Sequence, residues 1–210
     1  LTFREGVRKR ISMYLGSNDM EGVYNGIQEI ISNSIDEFYM KYGKEINISL
    51  MDFGNEVVVK VEDFGRGIPF GIREDGSNVL VDIFSRPHTG GKFNERVYIQ
   101  SSGLNGIGAK ATCLSSKWFK VVSHRGQMKA TAEFEKGELI HYSEEKTNRQ
   151  SGTVISFIPD EEVFSLEPIN ISFDRIAIQC KNLSYLTKGL KFNLEYNNKK
   201  KSFLANNGLR

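Results

Sequence analysis

The chain has 210 residues, a net charge of +2, 39% hydrophobic residues and 26% charged residues. These values predict a soluble globular chain with its own core, and they give no support for broad electrostatic binding of nucleic acid. The two cysteines, Cys113 and Cys180, form no CxxC pair, which argues against a zinc site or a disulfide scaffold and fits a reducing cytoplasm. No apolar run approaches the roughly 20 residues that span a membrane, so no membrane partner is expected.

The first predicted element is a helix over residues 25–43, whose apolar residues fall on one half of a helical wheel and which Gly43 ends. The opposite half carries four polar residues: Glu29, Asn33, Asp36 and Glu37. One interpretation is an ordinary solvated face. The other is a general base, Glu29, beside a magnesium ligand, Asn33, because Mg²⁺ takes few protein oxygens and completes its shell with phosphate and water.

A β-hairpin follows, because apolar residues alternate with polar ones on both sides of a Gly54-Asn55 turn. Asp63 continues the alternation of the second strand, so it is expected on the buried face, where a carboxylate needs a partner. It either caps the following turn or accepts a hydrogen bond from the exocyclic amine of a purine. In the second case the next residues would approach a flat ring closely and supply an apolar wall. These residues are Gly65, Gly67, Ile68 and Pro69.

Residues 85–108 form a long, glycine-rich segment of the kind found in functional lids or disordered loops. Lys92 follows Gly90-Gly91, and it is either a solvated residue of a plain turn or a point charge for a polyphosphate. The stretch GLNGIGAKAT, residues 103–112, fits neither P-loop nor G-x-G-x-x-G spacing. Residues after Gly108 can begin a helix whose free N–H groups favour an anion, or the glycines serve as a hinge. Lys110 receives no role.

The rest of the chain is predicted to be mostly strands. A second hairpin-like region covers 117–145, a strand covers 152–160, a helix with Ser172 as N-cap covers 172–189, and a last hairpin covers 190–203. The lysine run 199–201 is interpreted as a solvated hairpin turn rather than a DNA-binding patch. These elements predict one α+β domain over residues 1–210, a two-layer sandwich of a mixed, mostly antiparallel sheet with helices on one face.

Five motifs in this order carry a family resemblance: VRKRISMYLG (7–16), EIISNSIDE (29–37), EDFGRGIP (62–69), HTGGKF with GLNGIG (88–93 and 103–108), and QSGTVISFIPD (150–160). Together they resemble the ATPase domain of the type IIA DNA topoisomerases, the gyrase B subunit and its topoisomerase IV counterpart. That domain has the Bergerat-type ATPase fold, which is shared with sensor histidine kinases, a heat-shock chaperone and a mismatch-repair protein. The opening motif and GGKF are the most specific, since the kinases and chaperones lack them.

The resemblance implies roles for individual residues. Glu29 is implied as the general base that activates water at the γ-phosphate, and Asn33 as the Mg²⁺ ligand. Asp63 is implied to read the adenine with Thr153 through a shared water, while Arg66 lies over the adenine plane and pairs with Glu37. Arg125 is implied to correspond to the family's arginine that contacts aminocoumarin inhibitors. The other implied nucleotide contacts are Asp36, Gly67, Ile68, Pro69, Ile83, Lys92, Leu104, Asn105, Gly106, Ile107 and Gly108.

The resemblance also implies ATP and Mg²⁺ as cofactors and a cytoplasmic enzyme in which ATP closes a dimeric gate around a DNA segment. The implied partners are the A-type breakage-reunion subunit, a second copy of the B-type subunit, and DNA contacted mainly elsewhere in the full protein. The family's N-terminal arm would precede Leu1 and its transducer domain would follow Arg210. This chain is therefore expected to bind ATP, to hydrolyse it poorly and to be monomeric.

Residues 86–104 are expected to be partly mobile without nucleotide. Two departures from the family pattern stand out: Ile11-Ser12 replaces the usual Pro-Gly, and Asn105 replaces the usual histidine. Two alternatives stay open, a histidine-kinase catalytic domain and a nucleotide-dependent switch of the chaperone or mismatch-repair type.

Overall fold

The computed structural model describes residues 1–87, 107–166 and 168–206. The first range holds α1 (Phe3–Lys9), α2 (Ser12–Leu15), α3 (Met20–Tyr39), β1 (Glu45–Asp52), β2 (Val57–Asp63) and α4 (Val79–Ser85). The second holds α5 (Gly108–Leu114), β3 (Ser116–Arg125), β4 (Met128–Glu135), β5 (Glu138–Lys146), β6 (Gly152–Pro159) and α6 (Glu161–Phe164). The third holds α7 (Phe173–Leu186), β7 (Lys191–Tyr196) and β8 (Lys199–Phe203).

The strands form an eight-stranded sheet in the order β5-β4-β3-β6-β2-β1-β7-β8. Neighbours are antiparallel except β1 and β7, which are parallel, so the predicted mixed, mostly antiparallel sheet is confirmed. Strand β6 inserts between β3 and β2. This insertion brings the start of β6, with Thr153, next to the end of β2, with Asp63.

Alternate residues along β1 and β2 are buried, as the period-2 pattern predicts. These residues form the face of the sheet that the helices cover. Phe119 of β3 lies at the centre of an aromatic cluster, with ring centroids 5.4 Å from Phe84, 6.0 Å from Phe157 and 6.3 Å from Phe134. Each of these rings is at most 2% exposed. Burying a side chain of this size contributes about 1.5–3 kcal/mol, so the cluster fixes α4 firmly against the sheet.

The first predicted helix was wrong at both ends, and the lysine run was placed in the wrong element. The helix predicted over 25–43 begins at Met20, because the Asp19 side chain caps it by accepting a hydrogen bond from Glu21 N at 2.9 Å. It ends at Tyr39, before Gly43, since Lys41 already has φ 70°.

The lysines 199–201 lie on the exposed edge strand β8 and not in a turn. The turn before that strand is formed by residues 197–198. Charged residues on an edge strand hinder pairing with another chain.

The opening motif VRKR fixes α5 in place. Arg8 donates a hydrogen bond to Leu114 O at 2.9 Å and pairs with the buried Asp160 carboxylate at 2.5 Å. Val7 and Ile11 are almost fully buried in the same core. Helix α5 is therefore held at its C-terminal end by residues more than a hundred positions away in sequence. Of the helices in the described ranges, none is long and apolar enough to cross a membrane.

Candidate functional site

Asp63, at the end of β2, is 7% exposed and is held by hydrogen bonds from three other segments. Its Oδ2 accepts from Ser34 Oγ at 2.6 Å, and its Oδ1 accepts from Gly65 N at 3.0 Å and Thr153 N at 3.2 Å. Burial raises the pKa of Asp63, and these three hydrogen bonds oppose that rise. The expected turn cap is thus present. A carboxylate has about four acceptor sites, so this one retains capacity for a further donor.

Glu37 and Arg66 form the expected pair. Glu37 is 5% exposed, so the solvated-face interpretation is wrong for this residue. Arg66 Nη2 lies 2.8 Å from Glu37 Oε1, while its Nε and backbone N donate to Oε2 at 3.1 and 2.9 Å. The Tyr42 ring centroid lies 4.9 Å from Arg66 Cζ. The guanidinium is therefore held in one plane by a bidentate carboxylate and an aromatic ring.

Glu29 lies on α3, and its carboxylate lies against the first residue of α5. A Cβ on Gly108 would lie 2.1 Å from Glu29 Oε2, far inside van der Waals contact. Helices α3 and α5 are also close at Gly26, where an added Cβ would lie 3.2 Å from Thr112 Oγ1. The glycine at position 108 is therefore what allows Glu29 to occupy its place.

Asn33 and Asp36 continue the same face of α3 and are half-buried. Burial raises the pKa of Asp36, and the negative charges of Glu37 and Glu29 raise it further. Among the described residues no group of three or more His, Cys, Asp or Glu side chains is arranged to hold a metal ion.

Gly67 lies where β2 leads into the apolar part of the site. Its φ is +79°, and a Cβ there would lie 2.4 Å from His124 O. Arg125 Nη1 donates to Gly67 O at 3.3 Å. The Ser123 hydroxyl accepts from Ile68 N at 2.7 Å and donates to Ile68 O at 2.6 Å. Ile68 is 4% exposed, Ile83 on α4 is 7% exposed and Pro69 is half-buried.

The chain is similar to known proteins in both sequence and structure. A family described as "Histidine kinase-, DNA gyrase B-, and HSP90-like ATPase" matches residues 18–163. The chain belongs to this ATPase family. It is 35% identical to the B subunit of DNA topoisomerase 4 from Enterococcus faecalis over 193 residues, covering 90% of this chain and 27% of that protein. It is 34% identical to the B subunit of DNA gyrase from Spiroplasma citri over 214 residues, covering 98% of this chain and 33% of that protein.

A solved structure has the same fold as this ATPase chain. The 43K ATPase domain of Thermus thermophilus gyrase B, in complex with an aminocoumarin, superimposes with a TM-score of 0.81 at 28% identity. The match covers 98% of this chain and 52% of that one. The resemblance to type IIA topoisomerase ATPase domains and the predicted fold are confirmed. The chain spans a third or less of the length of the two curated relatives above.

In this ATPase chain, four of the expected nucleotide contacts lie outside the described residues: Lys92, Leu104, Asn105 and Gly106. The expected mobility of residues 86–104 also falls mainly outside them. Ile107 and Gly108 are described, as the N-cap and first residue of α5, and the predicted helix after Gly108 is present.

Sequence reasoning missed three residues that shape the site. Ser34 falls on the apolar half of the predicted helix, and Ser123 falls within the hairpin-like region predicted over 117–145. Lys110 received no role, yet it is 6% exposed and makes hydrogen bonds. The signal available for Ser34 and Lys110 was a polar residue in a segment that is otherwise apolar or small.

Proposed function

We propose that this chain is the ATP-binding and ATP-hydrolysing domain of a type IIA DNA topoisomerase, from the B-type subunit of a gyrase or topoisomerase IV. The observation that carries the proposal is the buried Asp63 carboxylate, fixed by three donors beside the Arg66–Glu37 pair. A buried, oriented carboxylate next to a flat guanidinium suits an aminopurine, which offers an exocyclic N–H donor and a π-face.

Asp63 accepts a hydrogen bond from the exocyclic amine of adenine in this proposal, and Thr153 assists through a shared water. Gly67 lets the backbone approach the ring. Arg66 lies over the adenine plane, where Glu37 and Tyr42 hold its guanidinium. The apolar wall consists of Ile68, Pro69 and Ile83.

Glu29 acts as the general base at the phosphate end. Its carboxylate lies against the first residue of α5, where the phosphate chain is proposed to bind, and this supports a role in accepting a proton from the attacking water. Ile107 and Gly108 supply backbone N–H groups, which a helix start leaves without intrahelical acceptors. Lys92 and residues 104–106 contribute the phosphate contacts that the resemblance implies, and Asp36 lies beside the phosphate chain.

Mg²⁺ fits this donor set. Asn33 offers an amide oxygen one turn from Glu29, and the described residues hold no cluster of three acidic, His or Cys ligands that would bind a metal alone. Mg²⁺ favours such sites, since it uses one or two protein oxygens with substrate phosphate and water. When bound, the ion would neutralise phosphate charge. Asn33 would hold it, and Glu29 would remain free to take the proton.

The full protein is proposed to couple ATP-driven closure of a dimeric gate to DNA strand passage in the cytoplasm. Its partners are the A-type subunit, a second copy of the B-type subunit and DNA, and Arg125 is the proposed contact for aminocoumarin-type inhibitors. The relatives described above are topoisomerase subunits, which favours this proposal over the kinase and chaperone alternatives. Residues 1–210 would form a single ATP-binding domain of that protein.

Calorimetry of a non-hydrolysable ATP analogue with Mg²⁺ tests the adenine site. Asp63→Asn should weaken binding at least tenfold, about 1.4 kcal/mol, because one acceptor oxygen becomes an NH₂ group. The fold should persist, since the Asn oxygen can accept from Gly65 and Thr153 while its NH₂ donates to Ser34 Oγ. Asp52→Asn, at the half-buried end of β1, is the matched control and should bind as the unmodified chain does. Equal affinities for the two variants would refute the adenine assignment.

A further inference from the structure

Lys110 is a buried lysine that joins two helices. It is the third residue of α5 and is 6% exposed. Its Nζ donates hydrogen bonds to Asp82 O at 3.1 Å and to Arg86 O at 2.6 Å. Asp82 is the fourth of the seven residues of α4, and Arg86 is the C-cap of that helix. Within the described part of the chain, these are the hydrogen bonds that link α4 to α5.

Lys110 occupies a position that disfavours a lysine on two grounds, burial and the helix dipole. Lysine is rarely buried, and a cation in the first turn of its own helix opposes the helix dipole. The contact with α4 compensates, because backbone carbonyls near a helix C-terminus carry partial negative charge. Asp82 O, which already accepts from Arg86 N at 3.3 Å, gains a second donor. Side chains in a helix point towards its N-terminus, so Lys110 reaches past the start of α5 to the end of α4.

A neighbouring carboxylate favours the charged form of Lys110. Burial lowers the pKa of Lys110, and the Asp82 carboxylate opposes that change. Arg73 Nη1 holds that carboxylate at 2.7 Å. The contact is thus one part of a local network that fixes the end of α4.

The two joined helices carry opposite ends of the proposed nucleotide site. Helix α4 carries Ile83, the proposed wall of the adenine pocket, and α5 begins at Gly108, against Glu29. The sheet fixes α4 through Phe84, and Arg8 fixes the far end of α5 at Leu114. Among the described residues, Lys110 makes the hydrogen bonds between these two helices, which also pack directly against each other.

We propose that Lys110 is a positioning residue of the nucleotide site, which holds the adenine wall and the phosphate end at the separation that a nucleoside triphosphate requires. This inference rests on the proposed function. It predicts a selective effect: a ligand that spans both helices depends on Lys110, whereas adenosine, which reaches only the α4 side, does not.

The test compares Lys110→Met with Lys117→Met. Methionine retains an apolar stem of similar length and removes the ammonium, and Lys117 is an exposed lysine paired with Glu56, outside the site. Binding of a non-hydrolysable ATP analogue with Mg²⁺ is measured by calorimetry, and weak adenosine binding by NMR titration. Lys110→Met should raise the Kd of the analogue at least tenfold and that of adenosine less than threefold. Lys117→Met should change neither by more than twofold.

Each other outcome has a defined meaning. Equal analogue affinities for the two methionine variants would overturn the inference, and so would an equal loss for both ligands, which indicates a general effect on the fold. If Lys110→Met does not fold, Lys110→Gln, which keeps a donor, replaces it; it should raise only the analogue Kd, at least threefold, and an unchanged Kd would overturn the inference. If the unmodified chain binds neither the ATP analogue nor adenosine, the proposed function itself is refuted.

Discussion

Replacing Gly67 by alanine tests how tightly the backbone is packed at the site. Gly67 has φ +79°, and an added Cβ would lie 2.4 Å from His124 O, a backbone atom of β3. Gly76 is a matched control, because it has φ +85° but nothing within 4 Å of an added Cβ. Both variants incur the left-handed strain of an L-residue, about 1–2 kcal/mol, and both recover up to about 1 kcal/mol because alanine lowers the entropy of the unfolded chain. These two effects therefore cancel when the variants are compared.

Only Gly67→Ala adds a clash. Relieving it requires a shift of about 1 Å between the loop and β3, since ordinary contacts begin near 3.4 Å. That shift breaks the two Ser123–Ile68 hydrogen bonds, at about 0.5–1.5 kcal/mol each. We expect Gly67→Ala to lower the free energy of unfolding by about 2 kcal/mol more than Gly76→Ala does, as measured by urea denaturation. A difference below about 0.5 kcal/mol would refute the close approach seen here.

Two further predictions concern charge. Burial raises the pKa of Asp63 above its unfolded value, so its contribution to stability is present below about pH 4 and is lost as the pH rises through the folded pKa. The melting temperature of Asp63→Asn relative to the unmodified chain should therefore rise as the pH increases above about pH 4, and a constant difference would contradict this. Arg8→Met should cost about 3–5 kcal/mol in urea denaturation, because it leaves Asp160 buried and unpaired. Arg175→Met, at the exposed pair with Glu21, should cost much less; similar losses would sink this reasoning.

The architecture could be predicted wherever one periodicity continues across an element. The alternation in β1 and β2 and the Ser172 cap of α7 are local patterns, and the structure confirms them. Asp63 could be placed on the buried face for the same reason. Helix boundaries were less predictable, because the Asp19 cap lies in a polar stretch that carries no periodic signal.

Contacts between distant segments could not be predicted from local pattern. Ser34 is apolar-facing by its position on α3, and only the tertiary structure shows that this face meets the Asp63 carboxylate. The role of Arg8 in the VRKR motif is likewise visible only in the tertiary structure, because Arg8 binds both the end of α5 and Asp160. Neither partner is near in sequence.

Helix α5 explains why residues that break local rules occur together. It has seven residues, too few to be stable alone, so its position must come from its neighbours. Arg8 holds its C-terminal end, Lys110 ties its first turn to α4, and Gly108 lets Glu29 lie against its start. A glycine and a buried lysine in one short helix would each weaken it in isolation. They are understandable if precise placement of α5 beside Glu29, rather than the intrinsic stability of the helix, is what the site requires.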